Sequence, residues 1–195
     1  MAFEYVNRRD ERYYLLQGKT KTGKPTYYAS RKARGVPCDQ LPEGYEIYEH
    51  PEQGIVSVRK VRHSRVLPGE RDILADLTRE LAGIEHFCVD IQDDSLVIYT
   101  PSIDPASSVN ALSRLFGPFA GGAASEREWI GKHQTYLPMM RFTLVDEESR
   151  LYYLERWCFR GSIDDWFLLT GGHSLERLAR KYLPHLGQES FYELM

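Results

Sequence analysis

Cysteine is scarce in this 195-residue chain: Cys38, Cys88 and Cys158 are far apart, and no Cys-x-x-Cys pair occurs. Such an odd, scattered set predicts neither a disulfide framework nor a zinc site. The six histidines are also scattered and form neither a His-x-x-x-His nor a His-Glu-x-x-His pattern. The sequence also lacks the Gly-x-Ser-x-Gly nucleophile elbow. We therefore expect no metal site, no cofactor and no motif-based catalytic centre.

Long apolar runs are missing as well. No segment approaches the roughly 20 apolar residues that a membrane-spanning helix needs. The first ten residues include Glu4, Arg8, Arg9 and Asp10, which does not fit a secretory signal peptide. Together with the unpaired cysteines, these features predict a cytoplasmic protein in a reducing compartment, without a membrane partner.

The residues that are abundant favour a globular protein rich in β structure. Hydrophobic residues make up 42% and charged residues 27% of the chain, and there are 13 Tyr and 8 Phe. Charge is uneven, because residues 1–68 hold 13 Lys/Arg against 8 Asp/Glu, whereas residues 69–195 hold 12 against 20. We therefore predict a basic β-rich module over residues 1–67 and an acidic α+β domain over residues 68–195, which could pack as one unit.

The front of the chain has the pattern of a β-hairpin. Aromatic and apolar arms at residues 13–17 and 26–30 flank a Lys/Thr/Gly turn. Two further strands, at residues 45–49 and 55–61, would extend the hairpin into a four-stranded antiparallel meander. Residues 35–44, with two Pro and two Gly, are expected to form a loop.

The remainder of the chain predicts alternating helices and hairpins. Apolar residues at helical spacing, such as Leu74, Leu77 and Leu81, indicate one helix, and Asp104 before Pro105 is a typical helix start. The predicted fold is α+β, an N-terminal antiparallel β meander followed by an α-β-β-α-β-β-(β)-α body. Its elements are a helix at 70–82, strands at 87–92 and 96–100, a helix at 104–116, strands at 139–145, 151–159 and 166–169, and a helix at 175–183.

The hairpin is also the strongest functional signal. Nine Lys/Arg and only two acids lie between Arg8 and Arg34. Cations interleaved with aromatic rings are typical of proteins that contact phosphates and stack on bases. We therefore expect an intracellular, non-enzymatic binding protein whose hairpin contacts nucleic acid or another polyanion. The predicted site comprises Lys19, Lys21, Lys24, Tyr27, Tyr28, Arg31, Lys32 and Arg34. A second basic cluster, Arg59–Arg65, would extend it.

Three other interpretations stay open. The lysines could simply be solvated or protect an edge strand from aggregation. A protein-interaction or accessory factor could instead use unpaired strand edges and exposed tyrosines to bind a protein partner, without nucleic acid. Finally, Glu155, Asp164, Asp165 and His173 could form an acid/base site of an enzyme. Since no catalytic motif supports that grouping, the sequence favours a non-enzymatic role.

Overall fold

The computed structural model describes residues 3–103, 122–160 and 163–194. Within these ranges it contains three α-helices and eleven β-strands, which confirms the predicted α+β fold. The elements are β1 (Glu4–Val6), β2 (Arg12–Lys19), β3 (Pro25–Ser30), β4 (Val36–Pro37), β5 (Tyr45–Glu49), β6 (Val56–Lys60), α1 (Pro68–Leu81), β7 (Cys88–Gln92), β8 (Ser95–Pro101), α2 (Gly122–His133), β9 (Tyr136–Asp146), β10 (Leu151–Arg160), β11 (Ile163–Ser174) and α3 (Leu175–Tyr182). The helix predicted over residues 104–116 lies outside the described residues.

The chain divides into two compact units, each built from two stretches of sequence. The N-terminal unit comprises Met1–Arg62 and Ile103–Thr135, and the C-terminal unit comprises His63–Ser102 and Tyr136–Met195. The boundary after the first stretch lies within five residues of the division predicted from charge. As a statement about independently folding domains, the predicted division at residue 67 stays a prediction.

The N-terminal unit is organised around β2. Strand β3 pairs with one edge of β2, and β1 and β4 share its other edge. The predicted hairpin and an N-terminal antiparallel meander are thereby confirmed, but the meander consists of β1 to β3 and not of the four predicted strands. Strands β5 and β6 form a separate two-stranded sheet instead of continuing the meander. The expected loop after residue 35 also contains a short strand, β4, where Pro37 is tolerated because it lies at an edge.

Alternation along β2 and β3 creates two faces. The inner face carries Tyr13, Leu15 and Tyr27, and the β5–β6 hairpin packs on it, with the rings of Tyr27 and Tyr45 5.1 Å apart. On β1, the Tyr5 hydroxyl donates to Glu49 of β5 at 3.1 Å. Burial and the neighbouring Glu49 carboxylate raise the pKa of Tyr5 to about 12. The tyrosine therefore remains a protonated donor at neutral pH.

The C-terminal unit is a five-stranded antiparallel sheet in the order β11-β10-β9-β8-β7. Helices α1 and α3 bury their apolar stripes against one face of it. The predicted last helix is confirmed, and its inner face consists of Leu175, Leu178, Ala179 and Tyr182, which are all buried. Phe142, Leu154 and Phe191 are fully covered within the same core. None of the helices in the described ranges has the length and apolar composition that crossing a bilayer requires.

Strand β11 is much longer than the predicted segment at residues 166–169. It includes Gly171 and Gly172, a glycine pair between the predicted strand and the last helix, which in sequence is typical of a turn. Gly171 lies opposite Tyr153, and a Cβ atom there would be 1.9 Å from the Tyr153 ring. Gly172, with φ of +74°, is the extra residue at a β-bulge beside Tyr152. The two glycines thus continue the strand while accommodating a ring and a bulge.

Candidate nucleic-acid interface

The two tyrosines predicted for the site lie on opposite faces of the hairpin. Tyr27 points to the inner face, where its ring meets Tyr45 edge-on at 70°. Tyr28 points to the outer face, the one that also carries Leu16 and Gly18, and is 40% exposed. Tyr27 therefore holds the two hairpins together, and Tyr28 is the ring presented to the surroundings.

The hairpin tip is a closed turn that presents three lysines. Gly23, with φ of +80°, has the left-handed conformation that glycine adopts most easily. The Thr20 amide donates to the Lys24 carbonyl at 2.8 Å, and the Lys24 amide donates to Thr20 Oγ1 at 3.1 Å. Lys19, Lys21 and Lys24 are exposed and, in the described part of the chain, make no ion pair. Three positive charges are therefore carried on a fixed turn.

The residues after β3 return across the hairpin. Strand β3 lies at one edge of β2 and β4 at the other, so residues 31–35, the crossing segment, must pass over a face of the sheet. A Cβ on Gly35 would lie 2.8 Å from Tyr28 Oη and 3.3 Å from Leu16 Cδ1, which identifies the outer face. Strand β2 runs toward the tip, and β4, which is antiparallel to it, begins near the tip and runs away from it. The crossing segment leads into the start of β4 and therefore brings Arg34 back toward the tip lysines.

Tyr28 is bracketed by two glycines. A Cβ on Gly18 would lie 3.4 Å from Tyr28 Cε1, and Gly35 lies close to the ring hydroxyl. Leu16 beside them is only 1% exposed. The ring thus lies against Gly18 along one edge and against Gly35 at its hydroxyl, and the crossing segment that carries Arg34 passes beside it.

Arg31 differs from the other predicted cations because it is neutralised. Its Nη1 lies 2.7 Å from Glu11 Oε1, and Glu11 also accepts hydrogen bonds from Asn7 Nδ2 and the Tyr13 hydroxyl. Burial alone would raise the pKa of Glu11, but the hydrogen bonds from Asn7 and Arg31 outweigh it and hold the pKa below its usual value. Glu11 is therefore ionised at neutral pH, and Arg31 contributes little net charge.

Comparison of this chain with protein-family models, curated proteins and solved structures finds no match. The function of this protein must therefore be inferred from the geometry and charge of the site itself. That geometry joins the tip lysines, Arg34 and Tyr28 on one hairpin.

The second basic cluster does not add open charge at its two ends. Arg59 Nε lies 2.7 Å from Glu46, and its guanidinium stacks on Tyr48 at 3.5 Å. Arg65 belongs to the C-terminal unit, where it pairs with Asp94 at 2.7 Å. These two arginines are held by their own carboxylates and are not available in the way that the tip lysines are.

The four residues of the enzyme hypothesis do not meet in one place. Glu155 accepts hydrogen bonds from Nε and Nη2 of Arg141, at 2.6 and 2.8 Å. Asp165 and His173 lie on β11 eight residues apart, about 26 Å at the rise of a strand. Asp164 lies beside Asp165 at the far end from His173. Over the described ranges, no group of three or more His, Cys, Asp or Glu is arranged to hold a metal ion.

Sequence reasoning missed Gly18 and Gly35, the two glycines that position Tyr28. Gly18 sits in a strand, where a glycine often marks the close approach of another group. Gly35 lies just before Val36-Pro37, the short edge strand β4, which the sequence predicted as part of a loop. The glycine in the strand was the one local signal that a ring packs there.

Proposed function

We propose that the β2–β3 hairpin and the crossing segment bind nucleic acid through its phosphates. The supporting observation is a set of five exposed cations that make no ion pair within the described ranges, Lys19, Lys21, Lys24, Lys32 and Arg34. The return of the chain over the outer face gathers them on one hairpin. Lysine and arginine side chains that neutralise phosphates displace condensed counterions, which supplies most of the affinity of such sites.

The negative charge of the whole protein does not oppose this proposal. The chain carries a net charge of −3, but its acids are concentrated after residue 68. At physiological salt, exposed charges interact over about 8 Å, the Debye length. A phosphate at the hairpin tip therefore responds mainly to the cations around it.

A purely protective role explains the arrangement less well. Lysines that prevent sheet-to-sheet aggregation lie along an exposed strand edge. Lys32 and Arg34 instead belong to the crossing segment, where Ser30 Oγ accepts from the Lys32 amide and the Arg34 amide donates to the Lys32 carbonyl. These hydrogen bonds order the backbone of the segment that crosses the outer face, and Lys32 and Arg34 are exposed on it.

Replacing Lys19, Lys21 and Lys24 together with glutamine is expected to weaken binding of a labelled oligonucleotide at least tenfold. Each lost phosphate contact also reduces the slope of log affinity against log salt, by about 0.7 for a single strand, so the triple variant should show a slope about 2 units shallower. Fluorescence anisotropy over a range of salt concentrations measures both quantities.

The matched control removes the same charge elsewhere. Arg177, Arg180 and Lys181 are exposed on α3 in the C-terminal unit, and their triple replacement by glutamine should leave affinity and slope nearly unchanged. Equal losses in the two triple variants would show that net charge, and not the hairpin, governs binding. That result would end the proposal.

Glu11→Gln is expected to strengthen binding slightly. The substitution removes the carboxylate that neutralises Arg31 and keeps an amide of the same shape for Asn7 and Tyr13. One additional available cation should raise affinity roughly twofold to fivefold at low salt and steepen the salt slope by less than one unit. Anisotropy titrations of this variant and wild type, side by side, give the comparison; weaker binding would mean that the Glu11–Arg31 pair positions the site.

A further inference from the structure

We infer that the ligand of this site is a single-stranded nucleic acid, and that Tyr28 stacks on one of its bases. This inference rests on the proposed function and narrows its substrate class. It starts from the position of Tyr28, an exposed ring on the outer face, and from the cations Lys19, Lys21, Lys24, Lys32 and Arg34, for which the described residues provide no ion pair. Aromatic rings beside a positive groove are the combination that single-strand binders use.

The Tyr28 ring is held in place before any ligand arrives. Gly18 lies where a Cβ atom would make ordinary van der Waals contact with the ring edge, and a Cβ atom on Gly35 would lie 2.8 Å from the ring hydroxyl, too close to fit without a shift. Gly35 has φ of +149°, a conformation that other residues rarely adopt. Because the ring is already ordered, stacking costs little additional side-chain entropy. The two glycines thus position the Tyr28 ring for stacking before a base binds.

A duplex cannot present a base to Tyr28. The major groove, about 12 Å wide, accepts a two-stranded ribbon on its own. At the level of Tyr28 the hairpin is covered on its inner face by β5–β6, through Tyr27 and Tyr45, and on its outer face the crossing segment lies at Leu16 and at the Tyr28 hydroxyl, while the ring stays partly exposed. Sheets packed face to face are separated by about 10 Å, so this layered part is too thick for the groove. Only an unpaired base can reach the ring.

The same layering separates the two parts of the site. The tip, residues 19–24, is exposed and is open to phosphates of any strand. Tyr28 lies behind the tip and adds affinity only when a base leaves its stack. Lysine variants should therefore weaken binding of every nucleic acid, whereas a Tyr28 variant should weaken binding of single strands alone.

Three labelled probes of equal length test the inference: an oligothymidylate, an abasic sugar-phosphate strand and a duplex. Wild type should bind the oligothymidylate about fivefold to a hundredfold more tightly than the abasic strand, the usual contribution of one stacked base. Tyr28→Ala should remove that difference and leave the affinity for the abasic strand and the duplex unchanged. Tyr28→Phe keeps the ring and should behave as wild type.

The possible outcomes separate the inference from the proposal beneath it. Equal wild-type affinity for the oligothymidylate and the abasic strand, with a steep salt dependence, would overturn the stacking role and leave the phosphate contacts standing. A preference for thymidylate that survives in Tyr28→Ala would overturn it as well. Absence of salt-dependent binding to all three probes would overturn the proposed function. Should Tyr28→Ala fold poorly by circular dichroism, the wild-type comparison of probes and the Tyr28→Phe variant decide the matter.

Discussion

Glu70→Gln is expected to lower the free energy of unfolding of the C-terminal unit by about 2 kcal/mol at pH 7, the usual value of a hydrogen bond to a charged group. Glu70 Oε1 accepts from Arg150 Nε at 2.9 Å, and Oε2 accepts from Arg150 Nη2 and from the Leu67 amide. The pair ties the first turn of α1 to the β9–β10 turn, where Arg150 has φ of +49°. Glutamine keeps the shape and loses the charge.

The effect of Glu70→Gln should depend on pH in one direction. Burial would raise the pKa of Glu70, but hydrogen bonds from Arg150 and the Leu67 amide outweigh it, so the folded-state pKa lies below the ordinary value of 4.5. A carboxylate with a depressed pKa stabilises the fold above its unfolded-state pKa and loses that contribution as pH falls through the folded-state pKa. The difference in stability between wild type and Glu70→Gln should therefore begin to shrink as pH falls below the unperturbed pKa of glutamate, about 4.3, and should vanish only below the folded-state pKa.

Urea unfolding at pH 7 and at pH 3.5 measures the difference in stability. Trp157 and Trp166 report on the C-terminal unit, and Trp129→Phe removes the third tryptophan, which lies in the N-terminal unit. Asp72→Asn is the matched control, because Asp72 lies in the same helix and, among the residues that the structure describes, pairs only with its exposed neighbour Arg71. It should change stability by less than about 0.5 kcal/mol. An equal loss in Glu70→Gln at both pH values would contradict the linkage.

Local patterns predicted most of the fold. The inner face of α3 and the β2–β3 hairpin follow from spacing and turn chemistry within 25 residues or fewer, and both are confirmed. The errors arose where a distant side chain decides the backbone. Gly171 and Gly172 resemble a turn in sequence, yet they continue β11. The Tyr153 ring occupies the position that a side chain at Gly171 would take, which accounts for a glycine inside a strand. Strand β4 was missed because a segment of two residues is too short to show the alternation of apolar and polar residues that marks a strand. Only its pairing with β2 defines it.

The candidate site divides in the same way. Composition alone located the basic hairpin, and Lys19, Lys21 and Lys24 follow from a turn that the sequence itself encodes. Which of Tyr27 and Tyr28 is buried cannot be predicted without knowing which face of the hairpin β5–β6 covers. Arg31 is neutralised because the fold places it beside Glu11, which lies 20 positions earlier in the chain. Charge density is thus a sequence property, whereas the availability of each charge is a property of the fold.

Asn7→Ala is expected to destabilise the N-terminal unit by about 3 kcal/mol, the largest single effect on this unit that we predict. Asn7 is 3% exposed, and its side chain makes four hydrogen bonds. Its Oδ1 accepts from the amides of Arg9 and Glu11, and its Nδ2 donates to the Gly54 carbonyl at 2.7 Å. Alanine leaves these groups unpaired, at about 1 kcal/mol or more for each.

The consequence of Asn7→Ala for binding follows from what Asn7 holds together. It orders the β1–β2 turn and fixes that turn to the β5–β6 hairpin, which covers the inner face beneath Tyr28. Hydrogen exchange should accelerate over residues 3–19 and 45–60 and stay unchanged over 136–160, with oligothymidylate affinity falling more than affinity for the abasic strand. Gln53→Ala, an exposed neighbour of Gly54, is the control and should alter neither. If exchange in Asn7→Ala matched wild type, water would have replaced the lost bonds, and Tyr28 would owe its position to the glycines alone.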